Sequence, residues 1–576
     1  MTALDTGDSM TRIYSGFRGA DFRGEEVNLI RSPDCLNMWR NYKNTASIET
    51  RPSLEKLYEI TYADRDEKIL KIFNFNDKLH VITNFRMYRE KENSDKWDEI
   101  FVTSEFNPIT FSFEYGGVFY FSDANNIYYY DGEECKEITP YIPTTSIARN
   151  PGGGGTIHER LNLLDQTKRI NTFKGDGEST VYHLDSRNIT SVIKVMVDGN
   201  EYTKDLYFVD TTAGTVAFNE QDRPSKTEGA DNVIITFSKE EDNEGFDFKN
   251  PILKCTIAQE FDNRIFVSGN PDYPQRIWHC MLNTPTYFSD LDYYDEGVDA
   301  TFVKGIVPGN NSLWVFREPS DTNTNIFYHV PTIDEADGKI YPSSHSSISL
   351  GCIGKAINFN DDIVFFSRIG MEGISGDITS EQFVAHRSCT VDRKLTANKG
   401  YKDMILVEWE GYLLVIMGKD VYLADSRAIF TNENHIEYDW YYWQFEQEIV
   451  CALVHEGTLY VGTTDGDICS LTGTDPKRQV HSYWVTPKDK FNAPQKLKTT
   501  NKRGCVVEAI GDVSVYAKTE DTDYDLIGTY NDIEDYFVSR IKKKKFKDLQ
   551  LKFESHTSFS LETATLEVFV GGYIKR

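Results

Sequence analysis

Proline is scarce in this 576-residue chain, 18 in all, and no apolar run approaches the roughly 20 residues needed to cross a bilayer. The opening Met1-Thr2-Ala3-Leu4-Asp5 has no basic region leading into an apolar core, so no signal peptide is expected. Nine cysteines are scattered without a CxxC pair. That pattern fits reduced thiols in a protein made in a cytoplasm, not a disulfide framework. Basic residues are outnumbered 62 to 90, leaving a formal charge of −28. Nucleic-acid binding by counterion release needs clustered Lys and Arg, and this balance does not supply them. An acidic surface suits a wall that DNA slides past, and it equally suits plain solubility.

Motifs of catalysis are missing as well. There is no GxxxxGK(S/T) phosphate loop, and the Gly152-Gly153-Gly154-Gly155 run does not follow a strand and open a helix, so it reads as a linker. His158-Glu159 lacks the second histidine of a zinc protease helix. Trp278-His279-Cys280 sets a nitrogen beside a sulfur, but with no second pair it reads as strand packing. Gly370-Met371-Glu372-Gly373-Ile374 has the wrong centre for a nucleophile elbow. Asp292 with Asp295, or Asp361 with Asp362, could be a glycosidase pair, yet 90 carboxylates make chance pairs inevitable. Thr464-Asp465-Gly466-Asp467 resembles part of a calcium loop without its distal ligands, so a hairpin turn is the better account. No catalytic, cofactor or metal residue is therefore assigned, and the chain is read as not an enzyme.

What the sequence does hold is aromatic-rich alternation, with 33 Tyr and 35 Phe. Seven segments share one phrase: an apolar strand, a tight polar turn, a second strand, then a third. They begin near Ile69, Ile109, Ile252, Val303, Cys352, Tyr401 and Ile449. Their turns are Asn76-Asp77, Tyr115-Gly116-Gly117, Asp262-Asn263, Gly309-Asn310-Asn311, Asn360-Asp361-Asp362, Glu410-Gly411 and Glu456-Gly457, residue types that suit two-residue hairpins. In the strand after each turn, alternate residues such as Leu413, Val415 and Met417 are large and apolar. A unit with one such face must stack on its neighbours, and spacing of about 40–50 residues is that of propeller blades. The expectation is a mainly β chain: a β-propeller of six or seven blades, an inserted small β-domain and a C-terminal β-sandwich.

The domain plan follows from where the phrase breaks. Residues 1–57 read as an N-terminal arm packed against the propeller or a neighbour, and 58–150 as the first blades. Residues 151–170 read as a Gly-rich connector with a short helix at His158–Leu164, and 171–240 as the inserted β-domain. The remaining blades occupy 241–477 and the closing β-domain 478–576. The run Lys542-Lys543-Lys544-Lys545 reads as a solvated approach to a strand or as a contact for an acidic partner.

Three stretches carry a family resemblance. The opening has Gly16-Phe17-Arg18-Gly19-Ala20-Asp21, Ser32-Pro33-Asp34, Trp39-Arg40-Asn41-Tyr42 and Thr50-Arg51-Pro52. The insert has Phe173-Lys174-Gly175-Asp176-Gly177, Val197-Asp198-Gly199, Tyr207–Asp210 and Ile234–Phe237. The ending has Ser482–Pro487, Lys496 and Leu549–Glu554. In this order they resemble phage tail and packaged-DNA stabilisation proteins, although Ser53 stands where that family has a glycine. The resemblance implies a structural tail hub or nozzle protein, without cofactor, in a ring of six copies below the portal and its adaptors. It would line or close the DNA exit of a virion assembled in a host cytoplasm, without binding DNA by sequence. The alternative is a tail-tip or baseplate protein that grips host glycan through the insert.

Overall fold

In the computed structural model the described residues are all but 1–8, 60–66, 92–96, 104–105, 241–249, 323, 335–337, 347–348, 375–383, 433–434, 474, 476–477, 521, 542–544 and 574–576. Met1–Asp5 and Lys542–Lys544 thus lie outside the described residues. The chain divides into two compact units, Met1–Phe106 with Ser346–Arg576, and Asn107–His345.

Seven four-stranded sheets are the blades of a β-propeller. The first unit holds those starting at Ile69, Ala356, Ile405 and Ile449, and the second holds those starting at Phe111, Ile257 and Val303. Each begins with the hairpin expected from the sequence. In all seven turns both central residues have positive φ, from Asn76 and Asp77 at 51° and 57° to Glu456 and Gly457 at 48° and 77°. Two left-handed residues in succession twist a hairpin to match its strands, and Asn, Asp and Gly reach that region at least cost. The seven-fold recurrence of local chemistry is what makes the blades.

The strand after each turn is buried more fully than alternation predicts. All six residues of Tyr412–Met417 are buried, and so are all six of Ser312–Arg317 and all five of Arg264–Ser268. These strands lie between neighbouring blades, so both faces must be apolar. The first strands of adjacent blades in a unit contact one another, and their side chains remain partly open.

The segment before the first blade packs on the propeller, with the Ala20 and Asn37 amides donating to the carbonyls of Trp440 and Tyr442. Its end goes further: Ser53–Glu59 pairs with Asp467–Gly473 as the fourth strand of the last blade, across the boundary expected at 57. Upstream, Ser9–Ser15, Cys35–Leu36, Met38–Trp39 and Ile48–Thr50 join a ten-stranded sheet whose other members come from Ser482–Tyr573. The 24-residue strand Lys496–Thr519 carries that sheet between its two layers. It pairs with Phe559–Tyr573 as far as Gly511 and with Leu549–Ser555 from Ser514 onward. Gly511 has φ 99°, and a Cβ there would sit 2.5 Å from the Ser558 carbonyl oxygen, so the crossing needs glycine.

In the second unit the insert starts earlier than residue 171. Thr144–Arg149, Thr156–Ile157 and Lys168–Phe173 share a six-stranded sheet with Val233–Ser238, Ser191–Val197 and Asn200–Glu201. The glycine run is the hairpin turn between the first two of these strands. A three-stranded sheet packs with it around Phe173, Tyr182, Val216 and Phe237. The helix expected at His158–Leu164 is not formed. Asn162 is fully buried and makes four hydrogen bonds, donating to the carbonyls of Tyr141 and Thr286 and accepting from the amides of Leu164 and Phe288. A buried amide satisfied in this way outweighs helix propensity over one short segment.

Gly457 isolates the turn constraint, because an added Cβ there meets nothing within 4 Å. Gly457→Val is expected to cost about 1–2 kcal/mol through φ alone, read as a lower denaturation midpoint.

Candidate functional site

The residues of the family resemblance at the two ends of the chain converge in the first unit. Cys35 and Leu36 pair with Trp484 and Tyr483, and the Ser32 hydroxyl donates to the Val485 carbonyl at 2.8 Å. Thr50 meets Ser482 hydroxyl to hydroxyl at 2.9 Å, and Ser482–Val485 pairs in turn with Lys552–Ser555. Gly19 has φ 77° and lies against the blade that starts at Ile405, where a Cβ would sit 2.3 Å from the Trp440 carbonyl that accepts from Ala20. Glycine is obligatory there.

Polar groups rivet this strap. The Asn37 carboxamide is nearly buried, donating to the His481 carbonyl and accepting from Arg51 Nε and the Gln444 amide. Trp39 packs against Trp409, Tyr412 and Trp443 with ring centroids 5.3–5.7 Å apart. Arg31 donates to Asp439 at 2.9 Å, and both are buried. Burial pushes the Asp439 carboxyl up to about 6 against the pull of Arg31 and Arg18.

A compact charge cluster lies in the blade that starts at Ala356. His386 places Nδ1 2.6 Å from Glu372 and Nε2 2.6 Å from Asp392, and Ser388 donates to Asp392. Burial opposes the imidazolium, but the two carboxylates win and raise His386 to about 10. With both ring nitrogens occupied and Ser388 turned to the carboxylate, no nucleophile faces a free base. The cluster ties the blade's last two strands to the helical turn Asp392–Leu395.

The other residues weighed from the sequence are spent on structure. Asp362 holds Arg387 and the Tyr438 hydroxyl, and Asp295 holds Arg276. Buried His279 faces its neighbour's carbonyl, and Cys280 accepts from the Ile265 amide. Asp467 pairs with Lys56 beyond a turn at Gly466, which has φ 83°. Glu159 accepts from the Tyr141 hydroxyl and the Thr144 amide. Among the described residues no disulfide is formed, no cluster could hold a metal ion and no helix is long and apolar enough to cross a membrane.

One surface was not visible in the sequence. Ser9–Ser15 pairs on one side only and makes no other backbone hydrogen bond among the described residues. Ile13, Thr565, Val506 and Val538 stand in register across four strands beside this open edge. Ile13 is 54% exposed, and Val538 and nearby Tyr536 are 41% and 63% exposed. Open edge strands and exposed apolar rows are usually covered by something, and the one charge on this strand, Arg12, is turned to Asp489. Only pairing across more than 500 residues reveals this face.

No family model matches the chain, and no curated protein does. Several solved structures align over most of its length. Virginiamycin B lyase from Staphylococcus aureus, solved with quinupristin, is 11% identical, covering 73% of this chain and 98% of its own, with TM-score 0.36. BamB from Moraxella catarrhalis is also 11% identical, covering 73% and 97%, with TM-score 0.33. PorZ, a surface component of the type-IX secretion system of Porphyromonas gingivalis, is 13% identical, covering 90% and 86%, with TM-score 0.25. At these scores they carry no argument about activity or partner.

The Arg31–Asp439 pair yields a pH-dependent prediction. Asp439 binds its proton more tightly folded than unfolded. Its own contribution is therefore greatest below the ordinary value of 3.8 and is lost as pH rises through about 6. Arg31→Met is expected to cost about 3–5 kcal/mol at pH 7, where it strands a buried carboxylate. At pH 5 that carboxylate takes a proton and the cost shrinks. Thermal melts of both proteins at the two pH values measure the difference.

Proposed function

We propose that this chain is a structural, non-enzymatic protein of a phage tail, a hub, nozzle or head-to-tail conduit that lines or closes the DNA exit and stabilises packaged DNA. The observation that carries the reading is the convergence of the resembling opening and closing motifs into one sheet. Segments some 450 residues apart in sequence act as one structural unit (Ser32 with Val485). A part that must stay shut against packaged DNA gains from ends tied into the same sheet, because pulling on either end shears ladders of hydrogen bonds instead of peeling one strand.

In this reading the protein works as a homo-oligomeric ring, six copies in the resembling family, between portal or adaptor and other tail proteins. It belongs to the virion after synthesis in the host cytoplasm. The open edge of Ser9–Ser15 and the row from Ile13 to Val538 suit contact between copies. The acidic excess does not gather on the first strands of the blades. Those carry Glu114, Glu260 and Glu408 beside Lys71 and Lys304. Repulsion of DNA would come from the remaining surface.

A second reading, a tail-tip or baseplate protein that grips host glycan, is favoured by the insert. Phe208 is 73% exposed there and stands in register with Ala217 and Val181.

Mass photometry of the purified protein, alone and with its neighbouring virion proteins, separates the two. Closed rings are expected, and Ile13→Asp should shift them to monomers without lowering the thermal midpoint by more than a few degrees. A persistent monomer or trimer that ignores portal and adaptor would refute the conduit.

A further inference from the structure

A cleft of about 330 Å³ lies on the ten-stranded sheet, a volume in the range of small-molecule sites. Its floor is a row in register across four strands: Trp39 beside Glu49, Glu49 beside Ser560, and Ser560 beside Ile510. Asn41 and Arg478 stand at its sides, and Pro52 and Phe559 add apolar wall. A second hollow of about 320 Å³ shares Ile510 and Ser560 and is acidic, lined by Glu508, Glu534, Asp535 and Glu562.

The polar groups are fixed and only partly used. Asn41 donates one amide hydrogen to Glu49 at 3.0 Å, and its oxygen accepts from the Lys43 amide, which locks its orientation. Arg478 gives three of its five N–H groups to the carbonyls of Arg51, Asp475 and Thr50, and among the described residues the other two take no hydrogen bond. One oxygen of Glu49 takes the Asn41 bond, and no other hydrogen bond falls on that carboxylate among the described residues. Burial raises the Glu49 carboxyl, while Asn41 and Arg478 pull it down.

The ligand class follows from this balance. Among the described residues the cleft is lined by one guanidinium and one carboxylate, so an anion or a cation meets an opposing charge there, and the four carboxylates of the second hollow disfavour an anion further. A hydroxyl both donates and accepts, so neighbouring hydroxyls can satisfy Arg478 and Glu49 together. The apolar rim at Pro52, Ile510 and Phe559 suits the C–H faces that such a molecule presents between its hydroxyls. Elongation into the second hollow suits more than one ring.

We infer that this cleft binds a neutral polyhydroxylated ligand, a short saccharide, with Glu49 accepting from and Arg478 and Asn41 donating to its hydroxyls. The site lies on the ten-stranded sheet and not on the insert, and it does not depend on the tail assignment.

Saturation-transfer NMR and calorimetry of the full chain with neutral di- and trisaccharides of glucose, galactose and mannose test it. At least one is expected to bind, and Glu49→Gln, which keeps the volume, should weaken it about tenfold or more. Arg478→Lys removes the fork but can loosen the strap, so its thermal midpoint is measured alongside and Glu49→Gln is the deciding variant. Absence of transfer from every neutral saccharide overturns the inference. So does affinity unchanged in Glu49→Gln, or selective binding of inorganic phosphate.

Discussion

Two sheets in the larger unit would have open edges without the residues before Glu59. The last blade needs an outer strand and receives Ser53–Glu59, and the ten-stranded sheet takes Ser9–Ser15 and Ile48–Thr50 along one side. Unpaired backbone groups are costly, so one segment shared between two sheets couples the blades to the closing sheet. The strap between, with Gly19 against Trp440 and Asn37 bonded to three partners, is fixed at both ends by those pairings.

The two levels of organisation differ in how they are specified. Blades are specified locally, by turn residues that accept positive φ and by apolar second strands. The strap is specified by distant partners. Arg31 has its reason in Asp439, Thr50 in Ser482 and Trp39 in Trp443. Buried ionisable groups such as Asp439 are therefore held where two separately made pieces meet. A charge pair fixes their mutual position more narrowly than apolar packing would.

This difference governs what could be read in advance. All seven hairpins are legible, since Asn76-Asp77 or Glu456-Gly457 state their backbone geometry in two residues. The inserted β-domain is legible too, although its first strands, from Thr144, lie in what reads as blade and linker. The helix at 158–164 fails because nothing in HERLNLL reveals that Asn162 answers to Tyr141, Thr286 and Phe288. The strand pairings of the N-terminal segment are hidden for the same reason at longer range, since Cys35 answers to Trp484 and Ser9 to Phe569. The cleft near Glu49 is invisible in sequence because its floor is drawn from four strands, whereas the carboxylate pairs that do stand out, Asp361-Asp362 and Asp292 with Asp295, serve turns and arginines.

The strand pairings also set a schedule for synthesis. Lys56 pairs with Cys469, and Ser9 with Phe569. A ribosome adding about 5–20 residues per second needs roughly half a minute to two minutes to cover the latter span. Throughout that interval Ser9–Ser15 is without its partner strand, while the blades between are completed. Maturation of the larger unit is therefore a late event, gated by emergence of Phe559–Tyr573, and any truncation before that strand leaves Ser9–Ser15 permanently unmatched.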